Sequence, residues 1–116
     1  MGSMETQVEQ KGDVVVVRVD GRLDAASSPQ LEQKILAIIE QGHFKIVLNL
    51  IGVEYLSSAG MRLMLSISKR LKNLEGKIVA CSLSDEVMEV IKMAGFHQVL
   101  EFYPNEEESL THLVSV

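Results

Sequence analysis

In 116 residues the sequence has one cysteine, two prolines and no tryptophan, and only 4% of it is aromatic. A single cysteine excludes an internal disulfide framework, and with it the staple on which small domains of oxidising compartments depend. No apolar run approaches the ~20 residues of a membrane helix, and the N-terminus lacks a basic segment followed by a hydrophobic one, so a cytoplasmic chain is expected. Positive charge is also in deficit. Eleven Lys+Arg against 16 Asp+Glu leave a formal net charge of −5, which repels phosphate backbones and anionic lipid heads and disfavours nucleic acid or a membrane surface as the main partner. His/Cys groups at metal spacing, a Gly-x-Gly-x-x-Gly run and a Walker loop are all missing, so the expectation is no metal and no cofactor.

What is present is 47% hydrophobic residues, enough for one ordinary apolar core and too short a chain for a second. Met1, Gly2 and Ser3 stand before a second methionine, Met4, and read as a cloning scar, leaving residues 4–116 as the domain. Thr6 to Gln10 predicts a short strand. Lys11-Gly12-Asp13 supplies a hairpin turn into Val14 to Val19, a β-branched run that implies burial on both faces and ends at Asp20-Gly21. Ser27-Ser28-Pro29 opens an amphipathic helix through Leu31, Ile35, Leu36, Ile38 and Ile39, stopped by Gly42.

Phe44 to Leu50 predicts a second buried strand, followed by a loop over Ile51 to Leu56 and a helix from Ser57 or Ser58 to about Asn73. A third strand covers Ile78 to Cys81. Ser84 caps a helix with Asp85 and Glu86 in its first turn, ending at Gly95, and a short strand follows near Val99 to Phe102. Pro104-Asn105 with Glu108 at the third helical position starts a terminal helix through Leu110, Leu113 and Val114. Strands alternating with helices of this length indicate βαβ units. The expected fold is α/β: a single domain with an open, mixed, largely parallel β-sheet, an antiparallel edge from the first hairpin, and about four α-helices.

Glu54-Tyr55-Leu56-Ser57-Ser58-Ala59-Gly60-Met61-Arg62 joins a strand to a helix at the carboxyl end of the sheet, where open α/β sheets place their sites. At about 100° per residue, Gly60, Leu63, Met64, Ile67, Leu71 and Leu74 form the core stripe, with Ser58, Arg62 and Lys69 opposite. Met61 and Leu65 flank the Ser58 side, so the exposed face combines a hydroxyl, apolar area and basic groups and suits a protein partner. Arg62 lies one turn beyond Ser58, within reach of a phosphate added there. The plainer alternative is that Ser57-Ser58 only caps the helix and that Met61 and Leu65 are scattered surface apolars.

Ser58 with Gly60 also supplies half of a Gly-x-Ser-x-Gly nucleophile elbow, but Leu56 occupies the upstream glycine position and no base is placed beside it. His43, His97 and His112 read as surface histidines and Cys81 as a packed small hydrophobe.

Gly21-Arg22-Leu23-Asp24, Ile46-Val47-Leu48-Asn49-Leu50 and Tyr55-Leu56-Ser57-Ser58-Ala59-Gly60-Met61 together resemble the STAS domain family from about Glu5 to Val116, specifically the stand-alone bacterial anti-sigma factor antagonists. The resemblance implies that Ser58 is phosphorylated by an anti-sigma factor that is also a serine kinase. It further implies that the modification releases that partner and that a PP2C-type phosphatase reverses it. Asp24, in the Gly-x-Leu-Asp segment, is expected near the serine, and with Ser57, Ser58, Met61, Arg62 and Leu65 makes up the expected partner-binding set. The family often has Asp where Ser57 stands and glycine where Arg62 stands. Two other functions fit the same pieces: a STAS accessory subunit of a transporter, with Ser58 a cap only, or a small serine hydrolase.

Overall fold

The structure is a computed structural model and describes residues 4–114; the segment read as a cloning scar lies outside the described residues. Five strands and four α-helices follow one another as β1 (Glu5–Lys11), β2 (Val14–Leu23), α1 (Ser28–Glu40), β3 (Lys45–Leu56), α2 (Ser58–Asn73), β4 (Lys77–Cys81), α3 (Asp85–Met93), a 3-10 turn at Phe96–Gln98, β5 (Glu101–Tyr103) and α4 (Glu106–Val114). The strands form one sheet in the order β1-β2-β3-β4-β5. β1 runs antiparallel to β2, and every later pair is parallel. The mixed α/β sheet expected from the sequence is therefore the fold.

Local chemistry accounts for most boundaries. Gly12 takes φ +65° in the two-residue turn that sets Lys11 opposite Val14. Ser84 accepts the Val87 N–H at 3.1 Å, and Asn105 Oδ1 accepts that of Glu108 at 2.9 Å while its side-chain amide donates to the Glu108 carboxylate, so Asn105 is the N-cap with Glu108 at the third helical position. Helix α1 begins at Ser28, with Pro29 its second residue.

The β-branched run works because both faces of the sheet are covered. Val15, Val17 and Val19 join the large core with Leu31, Ile35, Leu48, Ile67 and Ile91 of the sheet and of α1, α2 and α3. Val14 and Val16 turn the other way and join Val47, Val79, Cys81 and Leu113 beneath α4. A strand whose alternate side chains meet two cores needs no polar face.

Five expectations give way. β2 does not end at Asp20-Gly21, and Ile51 to Leu56 is not a loop: both strands run on as a paired ribbon, with Asp20 opposite Gly52, Gly21 opposite Val53, Arg22 opposite Tyr55 and Leu23 opposite Leu56. The turn signals are absorbed as register shifts between Arg18 and Asp20 and between Gly21 and Arg22, with Gly21 at φ +112°. β5 is displaced to Glu101–Tyr103 because the 3-10 turn takes up Phe96 to Gln98. Leu74 lies past the last turn of α2 and is 41% exposed, so it leaves the core stripe. Met61, expected on the outer flank, is 8% exposed and part of the main core. The arc of α2 covered by its neighbours is wider than an ideal stripe, and a long unbranched side chain about 100° from its centre still reaches it.

α4 is fastened by charge as well as by Leu113. Glu106, its first residue, accepts from Arg18 Nε at 3.0 Å, Arg18 Nη2 at 2.8 Å, Lys11 Nζ at 3.0 Å and the buried Asn49 Nδ2 at 2.8 Å. The Arg18 hydrogen bonds, ahead of those from Asn49 and Lys11, hold the Glu106 carboxyl down at about 2, against an ordinary value of 4.5. A depressed carboxylate stabilises the fold above its unfolded pKa and loses that contribution as pH falls toward its folded pKa. Glu106→Gln is therefore expected to lower unfolding free energy at pH 7 by about 1–3 kcal/mol. In urea titrations the gap to the wild type should close as pH falls from about 4.5 to about 2; a gap constant over that window would show that the charge contributes nothing. Met61→Ala is expected to destabilise by about 2–5 kcal/mol, the range for emptying a core site, whereas a surface methionine would cost under ~0.5 kcal/mol in the same titration.

Candidate functional site

The ribbon of β2 and β3 positions the start of α2. β4 pairs with β3 only as far as Asn49 opposite Cys81, so Gly52 to Leu56 extend past the parallel sheet together with Asp20 to Leu23. The Ser57 N–H continues the ladder by donating to the Leu23 carbonyl at 2.9 Å. Ser57 then leaves the strand with φ −91° and ψ 174°, and its hydroxyl accepts the Ala59 N–H at 3.2 Å. Ser57 is the N-cap. Gly60, one turn in, lets the helix come close: a Cβ there would stand 2.5 Å from Leu56 Cδ1 and 3.2 Å from Leu23 Cβ.

Ser58 is the first helical residue and exposed, while Ser57 is half-buried. The Ser58 hydroxyl accepts from Arg62 Nη1 at 3.3 Å across one turn. The dipole of α2 places partial positive charge at this end, and the helix carries no acid in its first turn. A hydroxyl here is reachable, and a phosphate on it would meet the helix N-terminus and a guanidinium.

Asp24 sits in the turn between β2 and α1. Its Oδ1 accepts the Ala26 and Ser27 N–H groups, both at 3.0 Å, and the Ser27 hydroxyl accepts the Asp24 N–H at 3.0 Å while donating to the Arg22 carbonyl at 2.6 Å. The Ser27 N–H, ahead of the other contacts, lowers the Asp24 pKa. Its hydrogen bonds are thus those of a residue that builds the turn. Between the starts of α1 and α2 lies a shallow groove of about 370 Å³, with Ala25, Pro29 and Glu32 on one wall and Ala59, Arg62 and Leu63 on the other. Leu65 is half-buried and Arg62 exposed, whereas Met61 has moved to the core.

The ribbon adds residues that the sequence pattern missed. Arg22 lies over the Tyr55 ring, 4.3 Å from its centroid, and Ile51 and Tyr55 are 73% and 43% exposed on the same strand. Taking Ile51 to Leu56 as a loop hid them. The alternation of Ile51, Val53 and Tyr55 with Gly52 and Glu54 is the signal in the sequence that the segment is strand.

Chemistry of other kinds finds no support among the described residues. Ser58 shares no hydrogen bond with a histidine or carboxylate. His97 is in the 3-10 turn and His112 stacks on Tyr103 at 4.3 Å, on the α4 side. Cys81 is buried, and desolvation pushes its thiol pKa up, as for a packed small hydrophobe. No group of three His, Cys, Asp or Glu is placed to hold a metal, and no helix is long and apolar enough to cross a membrane.

The chain is similar to a Bordetella bronchiseptica protein named as an anti-sigma factor antagonist, BtrV, with 31% identity over 93 residues that cover 80% of each chain. Among solved structures it is similar to an anti-sigma factor antagonist from Mycobacterium paratuberculosis, at TM-score 0.89 and 28% identity over 97% of this chain and 95% of that one. It is also similar to the anti-sigma factor antagonist SpoIIAA in its unphosphorylated form, at TM-score 0.81 and 25% identity over 97% and 98% of the two chains. The family model for the STAS domain matches residues 5–109, and the chain belongs to the STAS domain family.

Proposed function

We propose that Ser58 is the residue at which this chain is switched. The chain is an anti-sigma factor antagonist acting by partner switching: its fold and family are those of stand-alone antagonists, and relatives matched over most of their length carry that name. It binds an anti-sigma factor and so frees a sigma factor. The finer reading is that the anti-sigma factor is also a serine kinase, that it phosphorylates Ser58 and is thereby released, and that a PP2C-type phosphatase restores the hydroxyl. One observation carries the choice of serine. The Ser57 hydroxyl is occupied in capping α2, while Ser58 is exposed and, among the described residues, its hydroxyl bonds only Arg62.

The contact surface proposed around it consists of Ser57, Ser58, Arg62, Leu65 and Asp24, with Met61 supporting it from the core. Phosphorylation adds about −1.5 to −2 charge, which the helix N-terminus and Arg62 accommodate in the free domain. The cost falls on the complex, where a surface fitted to a neutral hydroxyl must desolvate or oppose a dianion.

Ser58→Asp is expected to bind the anti-sigma factor more than ~10-fold more weakly, and Ser58→Ala to bind like the wild type and resist the kinase. Circular dichroism of both should match the wild type, because only an exposed 3.3 Å contact is lost. Phosphopeptide mapping should place the phosphate on Ser58; phosphate on Ser57 alone, or a stable transporter complex indifferent to phosphorylation, would overturn the reading. Leu65→Ala should cost more than ~1 kcal/mol of binding, measured by calorimetry, if it anchors the partner.

A further inference from the structure

The sixteen residues of α2 include four basic side chains, Arg62, Lys69, Arg70 and Lys72, and no acid. In a chain of net charge −5 the remainder therefore carries −9. Among the described residues none of the four makes an ion pair, whereas Lys11, Arg18, Lys45 and Lys77 of the sheet each pair with a carboxylate. At about 100° per residue, Ser58, Arg62, Leu65, Lys69 and Lys72 fall within roughly 40° of one line along the outer face, spanning about 21 Å. All but Leu65 are exposed, and Leu65 is half-buried. Glu32 shares the groove with Arg62, and Glu101 shares a hollow with Lys72 but is held by Lys77.

We propose that this stripe docks an acidic surface of the anti-sigma factor, running from Ser58 along the full length of α2, with Leu65 as its apolar contact. The inference rests on the reading that the chain binds such a partner, and adds the partner's chemistry and the extent of the contact. Uncompensated cations aligned on one helix of an otherwise acidic protein attract a protein with an acidic patch. They do not suit a polyanion such as nucleic acid or an anionic bilayer, because the rest of the surface repels it. Phosphate on Ser58 adds about −1.5 to −2 at one end of a line of three positive charges and so removes much of the attraction. Release then needs no change of fold.

The test is stopped-flow association of the unphosphorylated chain with the anti-sigma factor kinase that phosphorylates it, at low and high salt. Lys69→Glu with Lys72→Glu should slow association at least ~10-fold at low salt and flatten its salt dependence, with circular dichroism unchanged. Lys34→Glu with Lys92→Glu, the same charge change on α1 and α3, should leave the rate within about twofold. Equal slowing by both pairs would reduce the effect to net charge and overturn the stripe. Binding that ignores Lys69, Lys72 and salt would overturn the stripe while leaving the antagonist reading intact. Absence of any binding by the wild type would overturn both. Retention on phosphatidylserine vesicles or duplex DNA, lost in the Lys69, Lys72 variant, would reassign the stripe and overturn the proposal.

Discussion

The hydrogen bond from the Ser57 N–H to the Leu23 carbonyl fastens the start of α2 to the end of β2, and the geometry of the site depends on it. It closes a ribbon that begins where β4 stops pairing with β3, and converts two strand ends into a platform for a helix N-terminus. Because Ser57 is held as strand and cap at once, the next residue has to begin the helix, and Ser58 is presented outward on a backbone fixed from both sides. Gly60 completes the arrangement by letting the first turn rest against Leu23 and Leu56. A charge added at Ser58 would meet a backbone already held on both sides.

Electrostatics divides the molecule into two parts. On the α4 side the charges are consumed internally: Glu106 gathers Arg18, Lys11 and Asn49, and that cluster joins the last helix to β1, β2 and β3. Half-buried groups satisfied in this way specify where a helix docks more than they attract a partner. On α2 the opposite holds, with cations left to solvent and one hydroxyl at their end. The same residue types thus hold the fold together on one face and stand exposed on the other. What separates them is whether an acid lies within reach.

The fold class, the order of elements and the Ser84 cap of α3 were legible from local rules. The valine run, the Asn105 and Glu108 cap, and the alternation of apolar periods from two to 3.6 are properties of neighbouring residues, and the structure realises them where the sequence put them. The candidate site was legible in part. Ser58 and Arg62 stand one helical turn apart whatever surrounds them, and their contact follows from that spacing.

The sequence by itself therefore determined the α/β plan, the helix that carries Ser58 and the side of that helix on which it stands, because each depends on contacts within a few residues. Only the tertiary structure decided that Ile51 to Leu56 is strand and that Met61 is core. Strand pairing between Leu23 and Leu56 joins residues more than thirty positions apart, and a partner at that distance can outweigh the turn preference of Asp20-Gly21. Burial of Met61 likewise depends on how wide an arc of α2 its neighbours cover, a quantity set by packing between elements and absent from any single period.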